Sequence, residues 1–138
     1  MQLPLGPIHH VALLVDDLDA AERFYASVLG LPVEKRWPDA ATGGTRSVWL
    51  ALGAGALLML ERATPGDKRR GAMGGGWHLL ALTIKPEDRK TVESALLAAG
   101  VAVDSRSEYT LYARDPEGNR VAFSHYPHTS APPVASSS

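Results

Sequence analysis

Three polar side chains of this chain, His10, Glu61 and His78, stand in strand-like surroundings where they could do chemistry. An imidazole there acts as a general base, as a nitrogen ligand for a divalent ion, or as a lining group making one hydrogen bond. A carboxylate nearby adds an oxygen ligand or a proton acceptor. Around these residues the chain places the lining candidates Trp37, Trp49, Met59, Trp77, Leu79, Tyr109 and Ala122, with Tyr112 and Tyr126 beside them. Aromatic walls with a few polar groups suit planar or hydrophobic ligands. His10 and Glu61 are the catalytic candidates, and the aromatic and apolar set is the binding candidate. For Glu61 the plainer reading is a solvated strand end beside Arg62.

The elements that must position these residues come from a segment used twice. Ile8–Val33, IHHVALLVDDLDAAERFYASVLGLPV, is answered by Trp77–Val103, WHLLALTIKPEDRKTVESALLAAGVAV. Each is an alternating apolar strand, an acidic helix start, an amphipathic helix, a closing glycine and a β-branched stretch, as a duplicated supersecondary unit requires. In the first copy Asp17 is the expected N-cap, with Leu18, Ala21, Tyr25 and Val28 as the inner stripe and Gly30 as the stop. Strands follow at 33–37, 46–52 and 56–61, the last two as a hairpin across Gly53–Ala54–Gly55. In the second copy a strand over 77–84 leads to a helix from Pro86 to Ala99, with Val92, Ala95, Leu96 and Ala99 inside. Strands at 101–104, 108–114 and 119–125 complete it, the last two joined by the turn Asp115–Pro116–Glu117–Gly118–Asn119. The expected fold is α+β: two βαβββ repeats, at 8–61 and 77–125, forming a curved mixed sheet around a cleft. Residues 62–76 link the repeats, and 126–138 read as a disordered tail.

Composition narrows the partners. Lys plus Arg is 14 and Asp plus Glu is 15 in 138 residues, so no strong field draws the chain to nucleic acid or an anionic membrane. The absence of cysteine excludes disulfides, thiolate ligation and a Cys nucleophile. No secretory pattern opens the chain and no apolar run reaches the roughly 18 residues of a membrane span, so the expected location is cytoplasmic. The glycines of GAMGGGW lack the strand, helix and Gly-Lys-Ser/Thr context of a phosphate loop.

The two βαβββ units, the HVALLVDDLDAAERFYASVLGL signature and the DPEGNRVAF turn resemble the vicinal-oxygen-chelate superfamily of glyoxalases, extradiol dioxygenases, and fosfomycin- and bleomycin-resistance proteins, over residues 8–125. Metal-using members of that superfamily hold a divalent ion through a His of the first strand, a His of the matching strand in the second half and a Glu of the last strand, some with a Glu in the fourth. Carried onto this chain, the first place falls on His10, seven positions before Asp17. In the register that pairs Val11 with Leu80 and Leu13 with Leu82, His10 answers Leu79, and His78 points to the other face unless a bulge re-aims it. The last place falls on Ala122, which ligates nothing, and the fourth-strand place falls on Met59, with Glu61 two residues late.

The resemblance therefore implies a glyoxalase/bleomycin-resistance-like protein that binds a small organic molecule in the sheet cleft without the usual metal triad and with no cofactor. One alternative is a metal-dependent lyase, isomerase, transferase or dioxygenase holding Zn, Ni, Mn or Fe at His10, Glu61 and His78. Another is a protein-interaction module. The expected partners are a small-molecule ligand and a second copy of the chain as a homodimer. Arg106 and Arg114 are read as solvated surface residues.

Overall fold

A computed structural model describes residues 2, 4–66 and 78–129. It divides into two compact units, Met1–Arg70 and Gly71–Ser138. The expected α+β class and both βαβββ repeats are present, and the eight strands are hydrogen-bonded as two four-stranded sheets.

In the first unit the order is β1(His10–Val15), α1(Leu18–Glu22), β2(Val33–Pro38), β3(Thr45–Gly53) and β4(Ala56–Arg62). The sheet order is β1-β4-β3-β2, with β1 parallel to β4 and the other pairs antiparallel. Asp17 caps α1 as its sequence predicts, its carboxylate accepting from the Ala20 N–H at 3.0 Å. The helix then widens into a π-helical segment, Arg23–Val28, closed by Leu29 N–H donating to the Phe24 carbonyl five residues back. This widening lets Phe24 and Tyr25 bury side by side, edge to face at 4.9 Å. A 3.6-residue stripe named only Tyr25 of the two, and Val28 is only half-buried. Gly30, at φ +77°, ends the helix where Leu31 N–H reaches the Tyr25 carbonyl, a geometry that a Cβ would oppose.

Strand alternation settles the two faces of this sheet. Val11, Leu13 and Val15 turn toward the helix, whereas His10, Ala12 and Leu14 are exposed, as the sequence pattern requires. The core is Val15, Leu18, Ala21, Phe24, Tyr25, Val48, Leu50, Leu58 and Leu60. Residues 39–44 close on themselves through Asp39 N–H to Gly44 O at 2.7 Å and Gly43 N–H to Asp39 O at 2.8 Å.

In the second unit the order is β5(Leu80–Thr83), α2(Arg89–Ala98), β6(Val103–Arg106), β7(Thr110–Arg114) and β8(Arg120–Ser124), with a single 3-10 turn, Pro86–Asp88, ahead of α2. The sheet repeats the first topology as β5-β8-β7-β6. Its core is Leu96, Leu111, Ala113, Val121 and Phe123. Three expectations need correction, the first being the strand expected at 101–104, which runs Val103–Arg106. The fifth strand begins at Leu80 rather than 77, so His78 and Leu79 precede it. Of the inner stripe named for α2 only Leu96 is buried, while Ala95 and Ala99 are exposed, because alanines contribute too little surface to show which face a helix hides. Asp115 organises the turn before β8: its carboxylate accepts from the N–H groups of Glu117 and Asn119 and from the Asn119 amide at 2.8–2.9 Å. Among the described residues no helix is long and apolar enough to cross a membrane.

Candidate functional site

The open face of the first sheet collects most of the candidates. Register places them in three cross-strand rows: His10–Leu57–Ala51, Ala12–Met59–Trp49–Lys35, and Leu14–Glu61–Ser47–Trp37. Trp37 and Trp49 are diagonal neighbours across β2 and β3 and meet edge to face, ring centres 5.3 Å apart. The Lys35 ammonium lies over the Trp37 ring at 4.0 Å from its centre. Met59 is 9% exposed, flooring the space beside Trp49, and Trp37 retains 37% of its surface.

A directed hydrogen-bond chain runs through this face. Trp49 Nε1–H donates to Ser47 Oγ at 2.9 Å, and the Ser47 hydroxyl donates to Glu61 Oε1 at 3.0 Å. An indole can only donate and an ionised carboxylate can only accept, so the serine proton has one place to go. Ser47 is 3% exposed, and Glu61 is half-buried. Glu61 is thus not the solvated strand end that its neighbour Arg62 suggests. Arg62 turns away and donates to the Thr45 carbonyl at 3.2 Å.

His10 stands at the other end of the face. Its Nδ1 lies 2.9 Å from Nδ1 of His9, so one ring donates and the other accepts. His10 pairs with Leu57, and Glu61 lies four positions further along β4, about 13 Å of strand. The structure puts the two catalytic candidates on one face but not within reach of a common atom.

In the second unit His78 Nε2 is 2.8 Å from Arg120 Nη1. A guanidinium only donates, so the His78 lone pair is the acceptor. Arg120 also lies over the Tyr112 ring at 4.4 Å and reaches Ser105 Oγ at 3.3 Å. Ala122 is 1% exposed and sits between Ala81 and Tyr112. Leu79 is half-buried ahead of β5. Tyr109, just ahead of β7, packs against the rings of His125 and Tyr126 at 5.9 and 5.2 Å. His125 is 1% exposed; its Nε2 accepts from Arg89 Nη1 at 3.0 Å, and its Nδ1 donates to the His128 carbonyl. Arg89 also holds the carbonyls of Ser107 and Glu108, tying the start of α2 to the turn between β6 and β7. Arg106 pairs with Glu93 and Arg114 with Asp104, so both surface arginines have protein partners. Trp77 lies outside the described residues.

These donors do not fit the divalent ion that the family resemblance implies. Its four places carry His10, Met59, Leu79 and Ala122, with His78 one residue off the second-half place. A thioether is a soft ligand poorly matched to a hard nitrogen-and-oxygen site, and alanine offers no donor. His78 has its lone pair engaged by Arg120. Glu61 cannot share an ion with His10 across four strand positions, since such ions hold ligands at about 2 Å. Among the described residues no three His, Asp or Glu side chains converge.

Sequence reading missed Ser47, Lys35, Arg89 and Arg120. For Ser47 a signal existed: Ser47 and Trp49 alternate on one strand whose hairpin partner carries Met59 and Glu61. For Arg89 and Arg120 no local pattern announces the partner.

Solved structures with this fold include a lactoylglutathione lyase from Agrobacterium tumefaciens, 26% identical, matched over 90% of this chain and 96% of its own at a TM-score of 0.66. An antibiotic binding protein from a Streptomyces species is 22% identical over 90% and 98% of the two chains, with a TM-score of 0.67. A fosfomycin resistance protein from Listeria monocytogenes is 16% identical over 88% and 92%, at 0.68. No curated protein is significantly similar in sequence. Residues 7–123 match the family pattern, and the chain belongs to the Glyoxalase/Bleomycin resistance protein/Dioxygenase superfamily.

Proposed function

We propose that the chain binds a small organic molecule on the open face of the first sheet, against Trp37, Trp49 and Met59, with Glu61 at one end and His10 at the other. The observation that carries this reading is the fixed indole pair. Trp49 is anchored through its N–H to Ser47, and Trp37 is packed on it with more than a third of its surface open. Such rings offer stacking area with little rotamer entropy left to lose on binding. The reading favours binding over metal-assisted lyase, isomerase, transferase or dioxygenase chemistry because of the donor set. Any chemistry performed here falls to His10, whose Nε2 would take or give a proton on the bound molecule. A cytoplasmic homodimer belongs to the same reading: β1 and β2 are the edges of their sheet, with backbone groups a second copy can cover.

Titration of planar organic compounds, followed by tryptophan fluorescence, tests it. Removal of one stacking ring is worth about 1 kcal/mol or more, so Trp37→Ala is expected to weaken binding at least about five-fold. Compounds that bind wild type, Trp37→Ala and Trp49→Phe equally well would place the ligand elsewhere.

A further inference from the structure

Resting on that ligand face, we infer the chemical class of the ligand: a planar organic cation, its protonated nitrogen received by Glu61. Glu61 is a half-buried carboxylate with one oxygen committed. Oε1 accepts the Ser47 hydroxyl, and among the described residues no basic side chain pairs with the group. The described cations on the neighbouring strands turn elsewhere, Arg46 alternating with Ser47 onto the opposite face of the sheet. Arg62 faces away and binds the Thr45 carbonyl, and Arg36, on the helix side of β2, pairs with Glu22. Lys35 shares the open face, but it stands two strands from Glu61, about 10 Å across the sheet, and its ammonium rests on Trp37.

A carboxylate removed from full solvation with no counter-charge gains most from a partner that brings one. Trp49 adds to this preference. It packs with Trp37 on the same face of the sheet, Trp37 in the cross-strand row of Glu61 and Trp49 in the row beside it. That this aromatic pair accepts cations is visible in the chain itself, since Lys35 already uses Trp37 this way. Lys35 does not cancel the preference: it is exposed, so salt and water screen its charge. Ser47 fixes the direction of the carboxylate, leaving Oε2 for the ligand.

Three probes of one shape separate the possibilities: 9-aminoacridine, a cation at neutral pH; acridine, uncharged there; and acridine-9-carboxylate, an anion. Calorimetric titration of the full chain at pH 7.5 is expected to give at least five-fold tighter binding for the aminoacridine than for acridine, with the carboxylate weakest. Glu61→Gln, whose amide oxygen still accepts from Ser47, is expected to close the gap by weakening the aminoacridine. Wild type supplies a second readout should that variant fold poorly: raising salt from 50 to 500 mM should weaken the aminoacridine alone. Equal binding of all three probes, or a gap indifferent to both Glu61→Gln and salt, overturns the cation inference and leaves the ligand face standing. Binding of none of the three overturns the ligand face for planar molecules, a different result.

Discussion

Replacing Ser47 by alanine cuts the hydrogen-bond chain of the candidate face at its middle link. Two bonds go at once: Trp49 Nε1–H loses its acceptor and Glu61 Oε1 loses its donor. A neutral hydrogen bond contributes about 1 kcal/mol net and one to a charged group about 1.5–3 kcal/mol. Both outer partners are half-buried, so water recovers part of that loss, and the expected destabilisation is about 2 kcal/mol. For a chain of this size that lowers the melting temperature by roughly 7 °C. Urea unfolding followed by tryptophan emission is the assay, because Trp37 and Trp49 both lie in the first unit. The sharper test is a cycle with Trp49→Phe. The single Ser47→Ala change strands an indole N–H, whereas the double change removes donor and acceptor together, so the double variant should be about 1 kcal/mol more stable than additivity allows. Stability of Ser47→Ala within about 0.5 kcal/mol of wild type, with an additive cycle, would refute the chain of bonds and the fixed direction of Glu61.

Two further outcomes follow from the second unit and from the donor set. Arg89→Met leaves His125 Nε2 buried without a donor and frees two carbonyls, and is expected to cost about 2–4 kcal/mol in urea unfolding, with Arg89→Lys recovering part; an unchanged midpoint would show that the node carries no stability. Elemental analysis of untagged protein incubated with excess Zn, Ni, Mn or Fe is expected to give well below one ion per chain, with His10→Ala no different from wild type. One ion per chain, lost in His10→Ala, would overturn the misfit argued from Met59, Ala122 and the engaged His78.

Much of the fold was legible because strand alternation and duplication are properties of the chain alone. The exposed set His10, Ala12 and Leu14 and the helix-facing set Val11, Leu13 and Val15 follow from a period of two, and Asp17 follows from its place before the apolar stripe. The π-helical widening at Arg23–Val28 was not legible, since a 3.6-residue period cannot anticipate a wider turn made to bury Phe24 beside Tyr25. Nor was the late start of β5 at Leu80: alternation continues through His78 and Leu79, but strand pairing with β8 begins only after them.

The sequence alone determined which residue types are available on each face: a histidine, two tryptophans and a carboxylate on the open side of the first sheet, and an alanine where the family's metal users keep a glutamate. Tertiary structure decided which of them meet. Alternation fixes a side chain's face but not which row of the neighbouring strand it joins, and that row is set by register. Register carried Ser47 to Glu61, fourteen positions away, and set Glu61 two rows, or four strand positions, from His10. Packing of α2 brought Arg89 to His125, thirty-six positions away. A hydrogen bond needs its partners within about 3 Å, and across such spans only the folded chain sets that distance.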